Sequence, residues 1–73
     1  MGDVFDVMAT SWPSELVART KVERFTGGLM TPKYQANLDS AGQGPEESLT
    51  IGRKVAYPVL SYVEWLRSRA KKG

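Results

Sequence analysis

Thr31-Pro32-Lys33-Tyr34-Gln35-Ala36-Asn37-Leu38-Asp39-Ser40-Ala41-Gly42 leaves the chain little choice of local structure, because both ends of a helix are written in it. Thr31 can accept from the free N–H groups of a first helical turn, and Pro32 has the fixed φ and missing N–H that suit the first helical position. Gly42 can take the left-handed conformation that closes a helix. At about 100° per residue, Tyr34, Leu38 and Ala41 share one side, which reads as the apolar one. Lys33, Asn37 and Ser40 share an adjacent side, with Ala36 beside them. That side offers a cation, an amide, a hydroxyl and a gap, which is what a helix entering a DNA major groove would present. Taken alone, the stretch is more simply a short amphipathic surface helix.

Length and residue usage exclude several classes. Seventy-three residues leave room for one small domain; a chain of this size buries only about 60% of its unfolded surface, so its stability should be a few kcal/mol. There is no cysteine, hence no disulfide and no thiolate metal site, and a reducing cytosol is the expected compartment. There is no histidine, which removes the commonest general base and the Ser-His and Cys-His nucleophile pairs. No apolar run is long enough to span a bilayer. A signal peptide would need a basic start, and this start carries Asp3 and Asp6; Asp6 also stands where a myristoylation motif wants Ser or Thr. Glu46-Glu47 reads as a solvated loop, and Gly42-x-Gly44 lacks the lysine and context of a phosphate loop. No catalytic residue, cofactor, metal or small-molecule substrate is therefore expected, and an enzyme is not. Charge is uneven: residues 1–15 carry a net −3 and the remainder +5. A basic body is compatible with a polyanionic partner and equally with an ordinary solvated surface.

Along the chain, residues 1–13 show no sustained period and read as a flexible acidic leader, with Val4, Phe5, Val7 and Met8 available to dock on the body. Trp12-Pro13 marks a boundary, and Trp12 reads as a packing residue. From Ser14 two readings stand: a helix through Phe25, or a short extended piece followed by a helix capped at Thr20. Thr20-x-x-Glu23 is a capping box, which favours the second. That helix carries Val22 and Phe25 inward and ends at Thr26-Gly27-Gly28. Two short helices about a glycine turn make a helix-turn-helix outline.

After the loop Gln43-Gly44-Pro45-Glu46-Glu47, both Ser48-Leu49-Thr50-Ile51 and Val55-Ala56-Tyr57 alternate as half-buried strands do. A two-residue loop at Gly52-Arg53 pairs Ile51 with Lys54 and splits the apolar residues between faces. A three-residue loop pairs Ile51 with Val55 and Leu49 with Tyr57 and gathers all four on one face, so burial favours the longer loop. That leaves Arg53 and Lys54 at the hairpin tip, as phosphate-binding cations or as solubilising charges. Pro58 starts a last helix with Val59, Val63, Leu66 and Ala70 as a stripe, widened by Leu60, Tyr62 and Trp65. Glu64 can pair with Arg67. Arg67, Arg69, Lys71 and Lys72 complement the helix dipole, with 71–73 a basic tail.

Thr26-Gly27-Gly28-Leu29, Thr31-Pro32-Lys33, Ala36-Asn37-Leu38-Asp39, Gly42-x-Gly44-Pro45, Ile51-Gly52-Arg53-Lys54-Val55-Ala56-Tyr57-Pro58 and Trp65-Leu66 follow in one order. This series resembles the excisionase-type, MerR-like winged helix-turn-helix DNA-binding domains of phages and integrated elements, over residues 16–67. The resemblance implies an α+β fold over 14–70: two short helices, a β-hairpin wing over 49–57 and a C-terminal helix, with a recognition helix over 31–41. It departs at two positions: members often carry an aliphatic residue where Gln35 stands and a small hydroxyl residue where Tyr34 stands. Tyr34 then either takes over packing or reaches DNA through its hydroxyl.

The expected DNA-binding residues are Thr31, Lys33, Tyr34, Asn37 and Ser40 on the recognition helix, with Lys21, Arg24, Arg53 and Lys54 on phosphates. The resemblance implies double-stranded DNA as partner, an integrase beside it and cooperative self-association on DNA. Three roles stand open: a recombination directionality factor that shapes DNA for an integrase, a transcription regulator of a prophage or mobile element using the same contacts, and a protein-interaction module without DNA binding.

Overall fold

The computed structural model describes residues 4–70. They form four α-helices and one three-stranded antiparallel sheet, an α+β arrangement. In chain order these are α1 (Val4–Ser11), β1 (Leu16–Ala18), a 3-10 turn (Arg19–Lys21), α2 (Val22–Phe25), α3 (Pro32–Ser40), β2 (Leu49–Ile51), β3 (Lys54–Pro58) and α4 (Val59–Arg69). Residues 71–73, expected as a basic tail, lie outside the described residues, as do residues 1–3.

The segment expected as a flexible leader is largely helix. Phe5, Met8, Ala9 and Trp12 recur at i, i+3, i+4 and i+7, one narrow stripe, and all four pack against the core. Eight residues are too few to hold a helix in water, so α1 owes its existence to α4, against which it lies. Asp6 and Phe5 both meet Arg67 there: Asp6 Oδ1 accepts from its Nη2 at 3.3 Å, and the guanidinium lies 5.1 Å from the Phe5 ring centre. Glu64 approaches the same arginine at 3.8 Å, as its spacing implied.

The extended piece before the first central helix is a strand, and it completes the sheet. The strand order is β1-β3-β2, with Leu16 opposite Pro58, Val17 opposite Tyr57 and Ala18 opposite Ala56. The capping box does not form. Thr20 lies inside the 3-10 turn, and α2 starts at Val22 with no side-chain cap. The reason is the strand: pairing of Ala18 with Ala56 holds the chain extended to within two residues of Thr20, and the tighter turn uses up the slack. Val22 and Phe25 point inward as expected.

The hairpin takes the shorter loop. Ile51 faces Lys54, Thr50 faces Val55 and Leu49 faces Ala56, so the three-residue loop favoured by burial is not formed. Gly52 has φ +65, the first central position of the type II′ turn whose twist matches a two-residue hairpin. Residues directly opposed share a face, so Leu49 and Ile51 lie on the other side of the sheet from Val55 and Tyr57. They remain 45% and 67% exposed. Burial had no hold on β2, because it is an edge strand with every residue exposed.

The core runs between the inner face of the sheet and α1, α2, α3 and α4. Its middle is a chain of rings: Trp12 edge-on to Phe25 at 5.0 Å, Phe25 to Tyr62 at 5.7 Å, then Tyr62 to Tyr57 at 5.2 Å and to Trp65 at 5.4 Å. Trp12 gives its indole N–H to the Leu16 carbonyl at 2.9 Å. In α4, Val59, Tyr62, Val63 and Trp65 are buried and Leu66 is half-buried, but Leu60, placed in the expected stripe, is exposed, and Ala70, also placed there, lies just past the helix end and is exposed.

Candidate nucleic-acid interface

The α2–α3 pair is joined by residues 26–31, and its geometry is set by one hydroxyl. Thr26 Oγ1 donates to the Val22 carbonyl at 2.7 Å and accepts from the Met30 N–H at 3.0 Å, so the helix end and the far side of the glycine turn share one buried atom. Gly28 N–H reaches back to the Glu23 carbonyl at 2.8 Å.

Both ends of α3 are closed as the sequence implied. Thr31 Oγ1 accepts from the Tyr34 N–H at 3.1 Å, and Pro32 stands at the first helical position. At the other end Gln43 N–H bonds the Leu38 carbonyl and Gly42 N–H the Asp39 carbonyl, the paired bonds of a Schellman motif. The inward side differs from the expected one. Gln35 is fully buried and Leu38 buried, while Tyr34 is 47% exposed and Ala41 is exposed. Tyr34 therefore does not take over the packing; Gln35 does.

A buried amide needs partners. Gln35 Oε1 accepts from the Tyr62 O–H at 2.7 Å, and Nε2 donates to Asp39 Oδ1 at 3.1 Å. The other oxygen of Asp39 takes two donors: Arg19 Nη2 at 2.6 Å and the Tyr57 O–H. Arg19 Nε also donates to the Tyr57 oxygen at 3.1 Å. Burial pushes the Asp39 carboxyl up, and the bonds from Tyr57, Arg19 and Gln35 outweigh it, leaving it below the ordinary carboxylate range. Burial, and the O–H it gives to Asp39, push the Tyr57 phenol up to about 12. It is thus a fixed donor at neutral pH. Sequence reasoning assigned none of this network a role. Its sign was Asp39 itself, an acid in the last turn of a helix, where its charge opposes the dipole and calls for a compensating partner.

With Gln35 and Leu38 inward, Lys33, Asn37 and Ser40 are brought onto the opposite, exposed stripe of α3, with Thr31 and Tyr34 exposed beside them. Lys21 and Arg24 are exposed on the 3-10 turn and on α2, which packs against α3. Arg53 is exposed in the hairpin turn and Lys54 opens β3. Among the described residues, none of Lys21, Arg24, Lys33, Arg53 and Lys54 enters an ion pair. The other arginines are engaged: Arg19 with Asp39, Arg67 with Asp6 and Glu64, and Arg69 over the Trp65 ring at 5.3 Å.

No group of three or more His, Asp and Glu among the described residues is placed to hold a metal ion, and no described helix is long and apolar enough to cross a membrane. A scan against protein-family models, a search of curated proteins and a search of solved structures each find no match to this chain.

Proposed function

We propose that the chain is a sequence-specific DNA-binding protein that uses a winged helix-turn-helix, with α2 and α3 as the helix pair and the β2–β3 hairpin as the wing. The observation that carries this is the division of α3: Gln35 and Leu38 seal one side, and Lys33, Asn37 and Ser40 stand clear on the other. Asn37 can hold an adenine edge with both amide atoms, Lys33 a guanine, and Ser40, Thr31 and Tyr34 supply hydroxyls to bases or phosphates. Lys21, Arg24, Arg53 and Lys54, being unpaired, are free to replace counterions on the phosphates and fix the register.

Within that reading we assign the role of the resembling family: a recombination directionality factor that shapes DNA beside an integrase, with copies acting together on repeated sites. A regulator of transcription would make the same contacts at a promoter, and the position of the selected DNA site separates the two.

The test is an amide chemical-shift titration with a mixed-sequence duplex at low and then physiological salt. Shifts concentrated on residues 31–40 and 52–54, weakening with salt, are the expected result. No movement at low salt would exclude even phosphate binding and leave the surface to a protein partner.

A further inference from the structure

We propose that Arg19, Asp39 and Tyr57 are positioning residues for DNA readout: one carboxylate on the recognition helix locks that helix to the two elements that carry the phosphate contacts. This inference rests on the DNA-binding reading above.

The three groups belong to different elements. Asp39 is in the last turn of α3, one position before Ser40 of the exposed stripe. Arg19 opens the 3-10 turn that contains Lys21 and leads into α2, two residues before that lysine. Tyr57 lies on β3, three residues from Lys54, a separation of about 10 Å along a strand. The bonds already described bring Arg19 and Tyr57 onto the same Asp39 oxygen, and Gln35 holds the other. One expected contact residue on each element, Ser40, Lys21 and Lys54, therefore stands one to three residues along the chain from a shared hydrogen-bonded centre.

The chain after α3 closes the fourth side. A Cβ on Gly44 would lie 2.0 Å from Asp39 Oδ1, so the loop approaches the carboxylate as closely as only a glycine permits. That loop is itself held down, since the Trp65 indole N–H donates to the Gln43 carbonyl at 2.8 Å. Asp39 is thereby held by three donors and the close approach of this loop, with 19% of its side chain left exposed, and it holds α3 in turn. An apolar contact would bury these elements but leave them free to slide. A carboxylate with three directed donors fixes distance and angle, which base readout demands to about 0.5 Å.

Two substitutions preserve charge and test the idea. Tyr57→Phe removes one hydroxyl and leaves its ring in the core. Arg19→Lys keeps the cation and loses the planar pair of donors. A duplex is first selected from a random pool by the wild-type protein, and each variant is then titrated with that duplex and with a random one. Both variants should lose about two- to thirtyfold in the ratio of selected to random affinity. Random-duplex affinity and its salt slope should be nearly unchanged. A merely structural role would lower both affinities together, in step with the melting temperature, and that result overturns the proposal. So does an unchanged ratio in variants of undiminished amide dispersion. Should Arg19→Lys fail to fold, Tyr57→Phe decides alone. A wild-type protein that selects no sequence overturns the DNA reading and this inference with it; a wild-type preference that survives in the variants overturns the inference only.

Discussion

The hydroxyl of Tyr62 on α4 donates to Oε1 of Gln35 on α3 at 2.7 Å, and neither residue has any surface in contact with solvent. Tyr62→Phe keeps the ring among Phe25, Tyr57 and Trp65 but leaves a buried amide oxygen without a donor. The loss should be about 1–3 kcal/mol, read as a fall in the urea midpoint at constant m. Gln35→Leu with Tyr62→Phe should cost less than the sum of the two single changes, because the orphaned partner disappears. Strict additivity would show that the bond contributes nothing of its own.

Asn37 stands on the exposed stripe of α3, clear of the core. Asn37→Ala should weaken binding to the selected duplex by roughly 1–3 kcal/mol and leave random-sequence binding nearly intact. Equal losses on both duplexes would remove Asn37 from base readout.

Arg53 occupies the hairpin turn with no ionic partner. Arg53→Ala should lower affinity for all sequences alike and reduce the slope of log affinity against log salt by about one. If the slope stays where it was, the tip does not touch phosphate.

Gly52 holds φ +65 in the hairpin turn. Gly52→Ala should destabilise the protein by about 1–2 kcal/mol, because an L side chain there meets the following carbonyl, although nothing else lies within 4 Å to obstruct it. A variant as stable as the wild type would mean that the turn is not held in this conformation.

The Asp39 carboxyl is held below its ordinary value. A carboxylate depressed in the folded state adds stability that is fully present above its unfolded pKa, near 4, and is lost as pH falls through that value toward the folded one. Asp39→Asn should therefore be less stable than wild type at pH 6, and the gap should narrow below pH 4. Urea unfolding at pH 6, 4 and 3 measures it. A gap that stays constant to pH 3 would contradict the ionic role of Asp39.

The elements that local chemistry dictates were written plainly in the sequence. Thr31, Pro32 and Gly42 mark the two ends of α3 because caps act within a turn of the chain. Lys33, Asn37 and Ser40 lie together because a helical repeat fixes which residues share a side. The stripe Phe5, Met8 and Ala9 of α1, continued by Trp12 just beyond it, was present too, but it is short, and a helix of eight residues exists only where α4 gives it a surface. What tertiary structure alone decided was which side of each element faces in. Burial patterning pointed to the longer hairpin loop, and the turn geometry of Gly52 together with the edge position of β2 chose the shorter one. Helical spacing put Tyr34 on the apolar side with Leu38 and Ala41, and the fold buries Gln35 instead, because Tyr62 and Asp39 satisfy both ends of its amide at once. A polar side chain is costly inside only when its partners are absent, and of those partners one lies a helical turn further along the chain and the other 27 residues further. No local pattern records such a meeting.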